Sequence, residues 1–181
     1  MTPEEFGQLF DGFTDSAFRL ETLPSYNVGG QEAERIAAFR AGRPRPERSV
    51  RTDPWLRRIA LTSSAGKSWT RVRVLDDPPT DYEQYQLVGY QESQAAGDCI
   101  RIVARGQFPA HGPDFWLFDQ STDHAQSVVM HYTPDGVPEE FVHLTGSADV
   151  QDLTKRAVAA DALAVPFNDY LAGGGAARRA S

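Results

Sequence analysis

Residues 67 to 77 read K-S-W-T-R-V-R-V-L-D-D, and their side chains alternate without a break. Trp69, Arg71, Arg73 and Leu75 share one side, while Thr70, Val72 and Val74 share the other, which is the period of a strand with one face in a core. Gly66 precedes the stretch and Asp76-Asp77-Pro78-Pro79 closes it. A helical pattern over 80 to 96, capped by Thr80 or Asp81 and ended by Gly97, leads into a second strand over 99 to 104. The middle of the chain therefore predicts a strand-helix-strand unit.

The same reading extends outwards. Pro3, Glu4 and Glu5 suit the first turn of a helix whose apolar stripe is Phe6, Leu9, Phe10 and Phe13. In S-A-F-R-L-E-T-L, Phe18 and Leu20 alternate with Arg19 and Glu21, so this segment is a strand with a charged second face, ended by Pro24. A weak helix follows over about 31 to 41. Asp53 as cap and Pro54 in the first turn start another helix, with Trp55, Leu56 and Ile59 inside. D-F-W-L-F-D at 114 to 119 is a short strand, and A-Q-S-V-V-M-H-Y-T with E-E-F-V-H-L-T forms a hairpin through Pro134-Asp135-Gly136. The last helix spans about 148 to 164, where Pro166 stops it. The fold class expected is α/β (α+β): a mixed sheet of about five to seven strands with helices covering one face, and Val72, Val74, Ile100, Ile102, Phe115 and Leu117 in the core. Residues 1–170 form one globular unit on this reading, with a basic Pro-rich connection at about 40–53 and a flexible tail at 171–181.

Charge changes the picture locally. The formal net charge is −7, yet Arg40, Arg43, Arg45, Arg48, Arg51, Arg57 and Arg58 face only Glu47 and Asp53 between them, so one segment is basic in an otherwise acidic chain. That balance argues against direct nucleic-acid binding by the whole protein and leaves a segment that is either a solvated loop or a contact for an acidic partner. No apolar run approaches the ~20 residues of a membrane span. The opening M-T-P-E-E-F lacks the pattern of an export signal, and Cys99, the one cysteine, cannot form an internal disulfide. A cytoplasmic location and a buried, inert thiol are expected.

Familiar catalytic arrangements fail on spacing. His111, His124, His131 and His143 form no helical metal pair; A-G-K-S at 65 to 68 leads into a strand instead of a helix; Gly173-Gly174-Gly175 lies near the chain end; and no Ser stands in a nucleophile elbow. No metal and no cofactor are expected. The distinctive feature is the polar sheet face. If the three strands share one sheet in phase, Arg19, Glu21, Arg71, Arg73 and Arg101 project together, within reach of Asp114 or Asp119 on the D-F-W-L-F-D strand. Two accounts are open: a cross-strand ion network closed by Glu21 and Asp119, or an anion held by the arginine forks. On the second account Arg19, Arg71, Arg73, Arg101, Asp114 and Trp116 are ligand-binding residues. Glu21, Tyr82 and Asp119 would be the acid/base groups of an enzyme.

The series A-F-R-L-E-T-L, W-L-R-R-I, K-S-W-T-R-V-R-V-L, D-Y-E-Q-Y, G-D-C-I-R-I and D-F-W-L-F-D resembles an actinobacterial family of unknown function often encoded beside Xre-type helix-turn-helix regulators. The second half, from I-R-I-V to A-V-P-F, is distantly similar to one half of a phospholipase D-like fold, without that fold's His-x-Lys pair. The resemblance implies a non-catalytic cytoplasmic binding or regulatory protein, partner of a helix-turn-helix transcription regulator. The alternative from the residues is a small enzyme or ligand-binding protein holding an anionic small molecule on its arginine-lined face.

Overall fold

The computed structural model describes residues 1–27, 29–108 and 112–175; His111 lies outside them. The first helix, α1 (Pro3–Gly12), opens on a capping box between Thr2 and Glu5. Then come β1 (Ser16–Glu21), α2 (Gly30–Arg40), α3 (Pro54–Ser64), β2 (Ser68–Leu75), α4 (Asp81–Ala96) and β3 (Asp98–Ala104). The second half holds β4 (Asp114–Phe118), β5 (Gln126–Tyr132), β6 (Pro138–Leu144), α5 (Ser147–Leu163), β7 (Val165–Pro166) and α6 (Phe167–Tyr170). Residues Leu171–Gly175 continue as a π-helical turn, and Leu171 packs against the Phe167 cluster. The local signals read from the sequence act as expected: Asp53 caps α3 through the Trp55 and Leu56 amides, Thr80 and Glu83 form a capping box, and Gly97 ends α4 at φ 113°.

All seven strands join one mixed sheet in the order β6-β5-β4-β1-β2-β3-β7. Strands β1, β2 and β3 are parallel, and the remaining pairings are antiparallel. Parallel neighbours require crossovers, and these are α2 with α3, then α4. One sheet face carries Phe18, Leu20, Val72, Val74, Val103, Phe115, Leu117 and Val129 under Val150, Ala157 and Ala160 of α5. The six core residues expected from alternation are all buried.

Helices also cover the arginine face, which differs from a one-sided sheet. The stripe of Arg71 and Arg73 is bounded on its own strand by Trp69 and Leu75, and these large apolar groups recruit the crossovers. Trp69 joins Phe10 and Phe13 near α1, Leu56 and Ile59 of α3, and Phe118. Leu75 joins Leu87 and Tyr90 of α4 with Ile100 and Ile102. The polar side chains between them are thereby enclosed.

Register corrects the expected grouping. Arg71 stands opposite Ile100 and Arg73 opposite Ile102, so Arg101, opposite Val72, emerges on the α5 side. There its guanidinium meets Asp161 at 2.7 Å and donates to the Ala164 carbonyl at 2.6 Å, satisfying the end of α5. Cys99 shares the phase of Arg101 and is exposed, not buried, because the alternation that sinks Ile100 lifts its neighbour out.

Candidate functional site

Arg19 on β1 and Arg71 on β2 are direct cross-strand partners, and Trp116 on β4 flanks Arg19 on its other side. Both guanidinium groups lie 5.6 Å from the Trp116 ring, so the indole sits beside two cations. Glu21, two residues after Arg19 on the same face, accepts from Arg71 Nη1 at 2.5 Å and lies 3.6 Å from Arg19 Nε. Tyr90 donates to its other oxygen at 2.8 Å. Burial alone would raise the Glu21 pKa, but Arg71, Arg19 and Arg73 outweigh it and hold the carboxyl down at about 2.

The other counterions differ from those expected. Asp98, the first residue of β3 and in register with Trp69, accepts from Arg71 Nε at 3.2 Å. Asp114 accepts from Arg19 Nη2 at 3.1 Å, from the Thr22 amide and hydroxyl, and from the Tyr26 hydroxyl. With its oxygens so occupied, Asp114 supports Arg19 instead of lining a binding surface. Asp119 is remote from the arginines: it adopts φ 53° just past β4 and gathers the amides of Thr14, Asp15 and Ser16. Its position resists burial's upward pull on its pKa, which those three amides bring below the usual carboxylate range. Asp119 is thus a backbone fastener at the entry to β1 and not, among the described residues, an arginine partner.

Arg73 is wholly buried behind the others. Its Nε donates to Gln86 at 2.8 Å and its guanidinium faces the Tyr26 ring at 5.4 Å, while Nη1 and Nη2 have no hydrogen-bond acceptor among the described residues. Glu83 stands 3.6 Å away and supplies charge without a hydrogen bond. Arg73 does not line the cavity that Arg19 and Arg71 line.

That cavity, of about 620 Å3, lies between the polar sheet face and the covering helices. Arg19, Glu21, Arg71, Trp116, Met130 and Tyr132 form its sheet side. Tyr82, Tyr85, Gln86 and Tyr90 descend from α4, Glu32 and Arg35 from α2, and Trp55 from α3. Arg48 and Asp53 also line it; Arg48 donates to Asp53 at 2.7 Å and reaches the Gly89 carbonyl and the Ser93 hydroxyl on α4. Arg45 pairs with Glu92 at 2.9 Å, so part of the basic connection is strapped to α4. Burial pushes the Tyr82 hydroxyl well above its ordinary value, as it does for Tyr26 and Tyr90. At pH 7 these shifts keep Glu21 charged and the three phenols protonated.

Of the residues singled out from the sequence, the cavity brings together Arg19, Glu21, Arg71, Trp116 and Tyr82. It excludes Arg73, Arg101, Asp114 and Asp119 from its lining. Sequence reasoning missed Glu32, Arg35, Arg48 and Asp53. Glu32 and Arg35 lie on the weakly patterned α2, and the signal for Arg48 and Asp53 was the arginine-rich connection, read as a loop because no alternation ties it to the sheet. Among the described residues, no group of three or more His, Cys, Asp or Glu side chains is placed to hold a metal ion, and no helix is long and apolar enough to cross a membrane.

Fold and site together define an α+β protein with a seven-stranded mixed sheet and an aromatic, charge-lined cavity over its polar face. The chain belongs to the family described as Domain of unknown function (DUF6879), which matches residues 4–172. No curated protein matches it.

Proposed function

We propose that this protein is a small-molecule-binding protein, which takes an organic ligand bearing an acidic group into the cavity above Arg19 and Arg71. The observation that carries this reading is the cavity: its size falls within the roughly 300–1,000 Å3 of ligand sites, and charged groups converge in it between aromatic walls. Arg19, Arg35, Arg48 and Arg71 line it together with Glu21, Glu32 and Asp53, and the forked donors of arginine suit an acidic group. Docking onto a helix-turn-helix regulator would instead call for one contiguous exposed apolar surface. Among the described residues, the exposed large apolar side chains are Val50, Leu61, Val137, Val158, Leu163 and Val165, carried by five different parts of the chain: the connection before α3, α3, the β5–β6 turn, α5 and β7. Ligand binding is therefore the preferred reading.

The test uses 8-anilinonaphthalene-1-sulfonate, an aromatic anion that fluoresces in apolar surroundings. Saturable uptake by the native protein is expected, with a raised melting temperature. Gly89 borders the cavity, and a Cβ there meets only Arg48 Nη1, at 3.9 Å. Gly89→Phe should fill the space and abolish uptake while unfolding remains cooperative. Absence of saturable uptake in the native protein, or equal uptake by Gly89→Phe, would overturn the reading.

A further inference from the structure

Two charged side chains of α2 line the cavity, one weakly paired and one with no ion pair among the described residues. Arg35 is 7% exposed, and its Nε has no hydrogen-bond acceptor among the described residues. Its closest carboxylate, Asp53, stands 3.8 Å from Nη2, beyond hydrogen-bond reach. Asp53 is already committed: Oδ2 accepts from Arg48, and Oδ1 takes the Trp55 and Leu56 amides that start α3. The Tyr85 hydroxyl is the neutral neighbour of Arg35. Glu32 lies three residues earlier, one turn along the same helix face, and lines the same cavity. No basic side chain among the described residues pairs with Glu32, whose burial raises its pKa. Tyr82 and Tyr85 line the same cavity as Glu32.

The other charged groups facing this space have their partners. Arg71 holds Glu21 and Asp98, Arg19 holds Asp114, and Arg48 holds Asp53 and Glu92. What remains is one weakly paired cation, Arg35, whose ion pair with Asp53 is long and whose Nε lacks an acceptor, and one carboxylate, Glu32, with no ion pair among the described residues, a helical turn apart against aromatic walls. A desolvated charge without a partner is costly, and a ligand with a single charge would satisfy one of the two only. We propose that Glu32 and Arg35 form a two-pole reader for an amino acid, its carboxylate on the Arg35 fork and its ammonium at Glu32 beside Tyr82 and Tyr85, with its side chain towards Trp55 and Trp116. Arginine's planar donors suit the carboxylate, and the carboxylate of Glu32 with two phenol rings suits the ammonium. A zwitterion closes both poles and adds no net charge to a buried site.

This inference rests on the cavity being a ligand site, and the experiment separates the two. The twenty standard amino acids are tested singly for a rise in the melting temperature of the native protein. The one with the largest rise is then compared by calorimetry with its deamino acid and its decarboxylated amine. Each half-molecule is expected to bind about tenfold or more weakly than the amino acid. Arg35→Gln should erase the advantage over the amine, and Glu32→Gln the advantage over the acid. Both variants should still unfold cooperatively and keep the near-UV circular dichroism of the native aromatic side chains, which shows that the fold around the cavity has formed. If no amino acid raises the melting temperature, or if the deamino acid binds as tightly as the amino acid, the inference is overturned while dye uptake blocked by Gly89→Phe leaves the ligand site standing. Failure of dye uptake in the native protein overturns both.

Discussion

Glu21 Oε1 lies 2.5 Å from Arg71 Nη1, on neighbouring parallel strands and with both side chains enclosed. The pair turns a sheet face that would repel itself into one that holds together. Because the folded pKa of Glu21 is about 2 against an ordinary 4.5, its contribution is fully present above pH 4.5 and is lost as pH falls through 2. That shift corresponds to on the order of 3 kcal/mol at neutral pH. Glu21→Gln should cost about this much at pH 7 by urea unfolding, and the gap from wild type should narrow as pH falls below 4.5 and close only as it falls through 2. A gap that stays constant with pH would show that shape, and not charge, sets the effect of Glu21.

Arg71 and Arg101 should separate sharply although both are sheet arginines. Removing Arg71 leaves Glu21 and Asp98 enclosed without their main cation, so Arg71→Ala should cost about 3–5 kcal/mol. Arg101 sits at a half-exposed helix end, and Arg101→Ala should cost about 1 kcal/mol. Denaturant midpoints measured at one pH give the comparison. Equal losses would mean that the enclosed network is no stronger than the surface contact.

The division between these two arginines also marks where sequence pattern stops informing. Alternation within a strand is local, so Arg19 with Glu21, and Arg71 with Arg73, were legible as same-face pairs. Phase between strands depends on register, and a shift of one residue moves a strand's whole polar set to the opposite face. That is why Arg101 was grouped with Arg71, and why Asp98, at the very start of β3, went unnoticed as the acid beside it. The position of the helices was partly visible, since Trp69 and Leu75 flank the arginines on their own strand and needed cover. Glu32, Arg35, Arg48 and Asp53 reach the cavity from a weakly patterned helix and an irregular connection, whose path is set by tertiary contacts such as Arg48 with Gly89. Periodicity carries no trace of such contacts.

Asp119 makes a different kind of prediction, because its work is done on backbone amides. Asp tolerates the left-handed φ of 53° better than most residues, and its carboxylate receives three consecutive N–H groups. Asp119→Ala should cost about 2–3 kcal/mol, through orphaned amides and backbone strain together. Asp119→Asn keeps an acceptor oxygen and should recover part of the loss. Hydrogen exchange at Thr14, Asp15 and Ser16 is the local readout: faster exchange confined to these amides in Asp119→Ala supports the fastening role. Unchanged exchange there, with stability lost elsewhere, would refute it.

Cys99 gives the last test, and it reads the register of β3 directly. The parity that buries Ile100 and Ile102 on the cavity side turns Cys99 outward with Arg101, near Asp161. The native protein should therefore react with one equivalent of iodoacetamide without denaturant. Partial burial raises the thiol pKa above 9.0, and Asp98 and Asp161 add to the rise against the pull of Arg101. The thiolate is the reactive form, so the rate should climb about tenfold per pH unit through the neutral range and show no plateau before pH 9. Cys99→Ser should change stability by no more than about 0.5 kcal/mol, as for other surface substitutions. If labelling required unfolding, the thiol would be on the buried side of the strand, and Arg101 would then have to join Arg71 over the cavity.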